Sequence, residues 1–100
     1  MKNKVEIYGV KPEVMHCHSC REICRILEKE AKLDYEFYEV LNLVDGEVKY
    51  DINMIDQLVK RANFESRRIV YPVIFIDDEL VPKPKLRQKL FDLGYDVDVF

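Results

Sequence analysis

The chain has few of the residues that usually classify a small protein: three glycines, four prolines and three cysteines in one hundred residues. Scarce Gly and Pro beside 48% apolar and 35% charged residues exclude the weakly hydrophobic, proline-rich composition of a chain that stays disordered. The three cysteines all fall between positions 17 and 24. An odd, clustered set is not the distributed disulfide framework that staples small secreted domains. There is no excess of positive charge either. Sixteen basic against nineteen acidic side chains give −3, which argues against nucleic-acid or anionic-membrane partners. No stretch approaches the roughly eighteen apolar residues of a membrane span, and Met1 to Gly9 carries no long apolar region followed by a small-residue cleavage site. The expectation is one domain over residues 1–100, monomeric, in the reducing cytoplasm, where clustered thiols serve redox chemistry or metal binding.

Val5, Ile7 and Val10 alternate around Glu6, so Lys4 to Tyr8 reads as a strand that ends in a turn through Gly9, Lys11 and Pro12. From Cys17 to about Leu33 no Gly or Pro intervenes. Cys20, Ile23, Cys24, Leu27 and Ala31 recur at helical steps opposite a charged face, which predicts one amphipathic helix. Tyr35 to Val40 is rich in aromatic and β-branched residues and reads as a second strand. Asp45-Gly46 is a turn, and Asp51 or Asn53 caps a second helix, Ile52 to Phe64. Ile69 to Ile76 and Glu79 to Val81 form a hairpin about Asp77-Asp78, with Pro72 confined to the start of its strand. Pro82 and Pro84 precede a third helix through Leu86, Leu90 and Leu93, stopped by Gly94. The tail Tyr95 to Phe100 alternates like a strand or is simply an ordered terminus. The order β-α-β-α-β-β-α predicts an α/β domain, a mixed four-stranded sheet flanked by three helices on both faces.

Cys17-His18-Ser19-Cys20 opens the first helix directly after the first strand. At such a place unsatisfied backbone N–H groups and the positive end of the helix dipole favour a thiolate, so Cys17 is the expected nucleophile and Cys20 the resolving thiol. His18, if protonated, tunes the thiolate further, or it is an exposed spacer. Cys24 lies one turn beyond Cys20 on the stripe facing the sheet and reads as a core cysteine, with a secondary redox thiol as the alternative.

These residues, together with Tyr8-Gly9, the aromatic second strand, Tyr71-Pro72-Val73 and the hairpin to Val81, resemble a glutaredoxin of the thioredoxin fold. The segment Val10 to His16 resembles that of the small phage-type members. The resemblance implies a dithiol-disulfide oxidoreductase with a redox-active Cys17–Cys20 disulfide and no tightly bound cofactor. Glutathione or a thioredoxin reductase would be the electron donor, and protein disulfides such as that of ribonucleotide reductase the substrates. It also implies a cis-proline at Pro72 and substrate contacts from Tyr71 and Tyr8; the charges of Lys83 and Lys85 offer a carboxylate contact near the start of the last helix, or are solvated surface lysines. The chain departs from the family in carrying His-Ser between the cysteines, Val70-Tyr71-Pro72 before the third strand, and Val81-Pro82-Lys83-Pro84-Lys85 where glutathione-binding members have Gly-Gly-Asp.

Met15-His16-Cys17-His18-Ser19-Cys20 also fits the M-x-C-x-x-C of heavy-metal-binding modules, with His16, His18 and Cys24 as further soft ligands for copper or zinc. That alternative requires a β-α-β-β-α-β order and no X-Pro strand.

Overall fold

The computed structural model describes residues 3–10 and 18–97. Strand β1 (Val5–Gly9) leads to helix α1 (His18–Arg25), which widens into a π-helical turn over Ile26–Glu30. Strand β2 (Glu36–Glu39) is followed by a hairpin of β3 (Leu41–Val44) and β4 (Glu47–Tyr50), then helix α2 (Ile52–Ala62). The hairpin β5 (Val73–Ile76) and β6 (Glu79–Val81) precedes a 3₁₀ turn at Lys83–Lys85 and helix α3 (Leu86–Asp92). The four-stranded sheet runs β2-β1-β5-β6. Its β1/β2 pair is parallel, and the β1/β5 and β5/β6 pairs are antiparallel. This is the expected α/β domain with a mixed four-stranded sheet.

Two elements differ from the sequence reading, and a third is shorter, since the strand expected over Ile69 to Ile76 begins only at Val73. The first helix is α-helical only to Arg25, because Ile26, Leu27 and Ala31 are all buried and residues five apart lie well round an α-helix from each other. A π turn brings them to one side, and Ala31 N–H donates to the Ile26 carbonyl at 2.9 Å. The hairpin β3–β4 is absent from the expected order. Asp45 and Gly46 both have positive φ, 51° and 79°, the geometry of a two-residue hairpin turn whose twist matches the flanking strands. It forms a separate two-stranded sheet. Residues 95–97 are not a strand, and the rest of the tail lies outside the described residues.

The sheet's two faces carry different cores. Val5, Ile7, Ile74 and Ile76 pack with Ile23, Ile26 and Leu27 of the first helix and with Leu86 and Leu90 of α3. On the other face Val73 and Phe75 meet Leu58 of α2, while Ile55 packs with Val10, Val40 and Leu41. Helix α2 is held at its start by Asp51, whose carboxylate accepts from the Met54 N–H at 3.1 Å, and at its end by Asn63 in the left-handed region (φ 58°), where a short polar residue costs least. Among the described residues no helix is long and apolar enough to cross a membrane.

Candidate functional site: the start of the first helix

The period-2 pattern of β1 decides what the motif meets. Ile7 points to the α1/α3 face and Tyr8 to the α2 face, so Gly9 again lies under α1. Cys20 is buried there, at 2% exposure, and its sulfur is in a disulfide. A methyl group at Gly9 would lie 3.1 Å from Cys20 Sγ and 3.1 Å from Phe37 Cζ, tight enough that both neighbours must give by a few tenths of an ångström. Gly9→Ala is therefore expected to destabilise the protein by about 1 kcal/mol, within the range for mild overpacking, as read by urea unfolding; an unchanged midpoint would mean that the sulfur is not held against this strand. His18 is exposed and Ser19 half-buried. Cys17, and with it Met15 and His16, lies outside the described residues.

Cys24 does not face the sheet as the helical stripe suggests. It is a free, half-buried thiol on a groove of about 910 Å³ that it shares with Cys20, Arg21, Glu28, Tyr35 and Phe37. The π turn and the wide apolar stripe leave the sheet-facing places to Ile23, Ile26 and Leu27, and Cys24 falls at the stripe's edge. Burial pushes its thiol up from the ordinary range, with Tyr35 opposing that shift. The Tyr35 hydroxyl donates to Glu28 at 2.9 Å. Burial first, then the Cys24 and Glu28 hydrogen bonds, keeps the Tyr35 phenol protonated well past its usual value. The Cys24 sulfur is thus a thiol at neutral pH, a weak nucleophile.

From the far end of the chain, Lys83 reaches the motif: its Nζ donates to Ser19 Oγ at 2.6 Å. Pro72 is buried and the Tyr71–Pro72 bond is cis, as the resemblance implies. The Tyr71 side chain is half-buried among Val10, Val40, Leu41 and Ile55. Burial, with the neighbouring Tyr50 hydroxyl, raises its pKa.

The Tyr8 side chain lies on the sheet face opposite Cys20. Its ring stacks on Tyr38 with centroids 4.9 Å apart and meets Phe75 edge-on, and its hydroxyl accepts from Arg61 at 3.3 Å. The period-2 alternation that puts Gly9 under Cys20 turns Tyr8 to the opposite face. There Arg61 joins Tyr8 to the buried Glu6. Neither Glu6 nor Arg61 is marked by any motif. The only hint is a carboxylate set between Val5 and Ile7 in a strand that ends up covered on both faces.

No protein-family model matches the sequence. A protein of Enterobacteria phage T4, described as an uncharacterized 11.8 kDa protein in the Gp55-nrdG intergenic region, is 41% identical over 99 residues, 98% of this chain and 95% of that protein. The chain belongs to that phage protein's family. The match takes in the Cys17–Cys20 segment, the β5–β6 hairpin and α3 alike. Among the described residues no three His, Cys, Asp or Glu side chains converge where a metal ion would be held. The described order β-α-β-β-β-α-β-β-α is also not the β-α-β-β-α-β of heavy-metal modules.

Proposed function

We propose that this phage-family protein is a thiol-disulfide oxidoreductase of the glutaredoxin type on a thioredoxin fold, reducing protein disulfides with Cys17 as attacking and Cys20 as resolving thiol. The observation that carries this reading is the disulfide-bonded, buried Cys20 at the start of α1, directly under the strand that precedes the motif. A resolving sulfur belongs in such a place: shielded from solvent, it closes an intramolecular disulfide faster than it meets another oxidant. His18, exposed at the first position of α1, tunes the Cys17 thiol, and the positive end of the helix dipole favours its thiolate. The segment Tyr71-Pro72 supplies the backbone against which a substrate thiol peptide lies. Ribonucleotide reductase as client, glutathione or a thioredoxin reductase as donor, and the host cytoplasm as compartment follow from the resemblance and from the phage origin of the relative.

The chemistry balances without a further reactant. The attacking thiolate displaces one sulfur of the substrate disulfide as a thiolate and forms a mixed disulfide. Cys20 then attacks that bond, releasing the substrate's second thiol and leaving the protein oxidised. Cys20→Ser is expected to accumulate a mixed disulfide at Cys17 with a disulfide substrate, detected as a mass adduct that dithiothreitol removes, whereas Cys17→Ser should accumulate none. Full insulin reduction by both single variants would sink the assignment.

A further inference from the structure

We propose that Ser19 and Lys83 form a carboxylate-binding pair at the rim of the dithiol motif, so that the protein prefers disulfides flanked by acidic side chains. The inference rests on the disulfide-exchange reading and names its substrate class. Its basis is two convergent donors. Lys83 Nζ gives one N–H to Ser19 Oγ at 2.6 Å, which leaves two N–H groups on the ammonium and the serine's own O–H free to donate. Two donors so close together suit the two oxygens of one carboxylate, and one of them carries a charge.

Lys83 is held there by the packing of distant elements. Val81 and Leu86, on either side of it, are 5% and 1% exposed and sit in the same core cluster as Ile23 and Leu27 of the first helix. Pro82 and Pro84 restrict the backbone around it, and the 3₁₀ turn closes with Lys85 N–H on the Pro82 carbonyl at 2.9 Å. Arg87 braces the same pair of elements through Glu30 at 3.1 Å.

Among the described residues the nearby carboxylates are engaged elsewhere. Between Glu79 and Asp92 the chain has no acidic residue. Of the carboxylates on the first helix, Glu22 is taken by Arg25 at 2.6 Å, Glu28 by the Tyr35 hydroxyl at 2.9 Å and Glu30 by Arg87. Among the described residues no carboxylate pairs with Lys83, and Lys85, two positions on, is exposed as well. An ammonium set against the start of α1 on a chain of net charge −3 is a local feature, and it selects for the opposite sign.

The test uses three synthetic peptides that share one intramolecular disulfide and differ in Asp, Asn or Lys flanks, with oxidised glutathione as a fourth substrate. Single-turnover reduction by the pre-reduced protein should be about 5- to 20-fold faster for the Asp peptide than for the Asn peptide at low salt, the ratio shrinking as ionic strength rises. Lys83→Met should bring the ratio near one, Lys83→Glu invert it and Lys83→Arg keep it. Equal rates on all three peptides, or an Asp preference that survives Lys83→Glu, would overturn the proposal. A Lys83-dependent preference for oxidised glutathione alone would overturn acidic protein segments as the source of the carboxylate. Peptides with both cysteines changed to serine, titrated against the oxidised protein, read the pair without any exchange. Asp-selective binding lost in Lys83→Glu supports it even if no disulfide is reduced, in which case only the redox reading fails; no selectivity in that titration overturns it.

Discussion

Arg61→Ala is expected to lower the unfolding free energy by about 3–5 kcal/mol, the usual cost of removing one partner from a buried ion pair. Glu6 is 5% exposed and its carboxylate accepts two hydrogen bonds from the guanidinium, at 3.0 and 2.7 Å. The same guanidinium reaches Asp78 at 2.8 Å and lies 3.9 Å over the Phe75 ring. Truncation leaves a carboxylate shielded from water with only the distant Lys4 ammonium, 3.9 Å away, and the Tyr38 hydroxyl, 3.5 Å away, to answer it. Glu6→Gln is milder, about 1.5–3 kcal/mol, because an amide still accepts a hydrogen bond while the charge assistance is lost. The Arg61 hydrogen bond holds the Glu6 carboxyl below the usual carboxylate range, against the opposing effect of burial. Its contribution is therefore complete above the unfolded Glu value of about 4.3 and lost as pH falls through the lower folded value. Urea midpoints of wild type and Glu6→Gln should converge on acidification below about pH 4. A gap that stays constant down to about pH 2.5, below the usual carboxylate range, would show that the pair contributes no charge-dependent stability.

That network also marks where sequence reading stops. The strand with Ile7 and the helix with Ile23 and Leu27 are legible because a buried face repeats every two or every three to four residues, and repetition survives without coordinates. The motif at the start of α1 is legible for the same reason: C-x-x-C is local, and its position after a strand is local. The Glu6–Arg61 pair spans 55 positions and the Lys83–Ser19 contact 64. Such pairs depend on which sheet face a residue takes and which element covers it, and single-residue periodicity says nothing of partners. Tyr8 stacks on Tyr38 on the face opposite Gly9, because neighbours in a strand point to opposite faces, and that partner is not legible from the motif beside it. Cys24 differs because the stripe it sits on is wider than the sheet can cover. The hairpin β3–β4 escapes the sequence for another reason. Leu43, Val44, Val48 and Tyr50 are 42–62% exposed, so the strands form by turn geometry and backbone pairing without the half-buried alternation that announces a strand.

Leu27→Ala should cost about 3–5 kcal/mol, in line with large-to-small changes at fully enclosed sites. Leu27 is 0% exposed in the cluster where the first helix, β1, β5 and α3 meet, and no side chain of that cluster can follow it into the space it leaves without abandoning another contact. Its carbonyl also accepts the Leu33 N–H at 2.9 Å, so the backbone of the π-helical turn is tied on the far side and cannot slide to close the void. Leu43→Ala, the same chemical change at a side chain 55% exposed, should stay within about 0.5 kcal/mol of wild type. Urea unfolding of the two variants separates packing from composition, and equal losses would mean that the first helix is not seated on the sheet as described. The helix that Leu27 anchors also carries Cys20 and Ser19, while the cluster's Leu86 follows Lys83 on the other side of the contact. Loosening the anchor should therefore weaken the Asp-over-Asn preference in disulfide reduction more than Leu43→Ala does, because the Ser19–Lys83 approach depends on the seating of both elements.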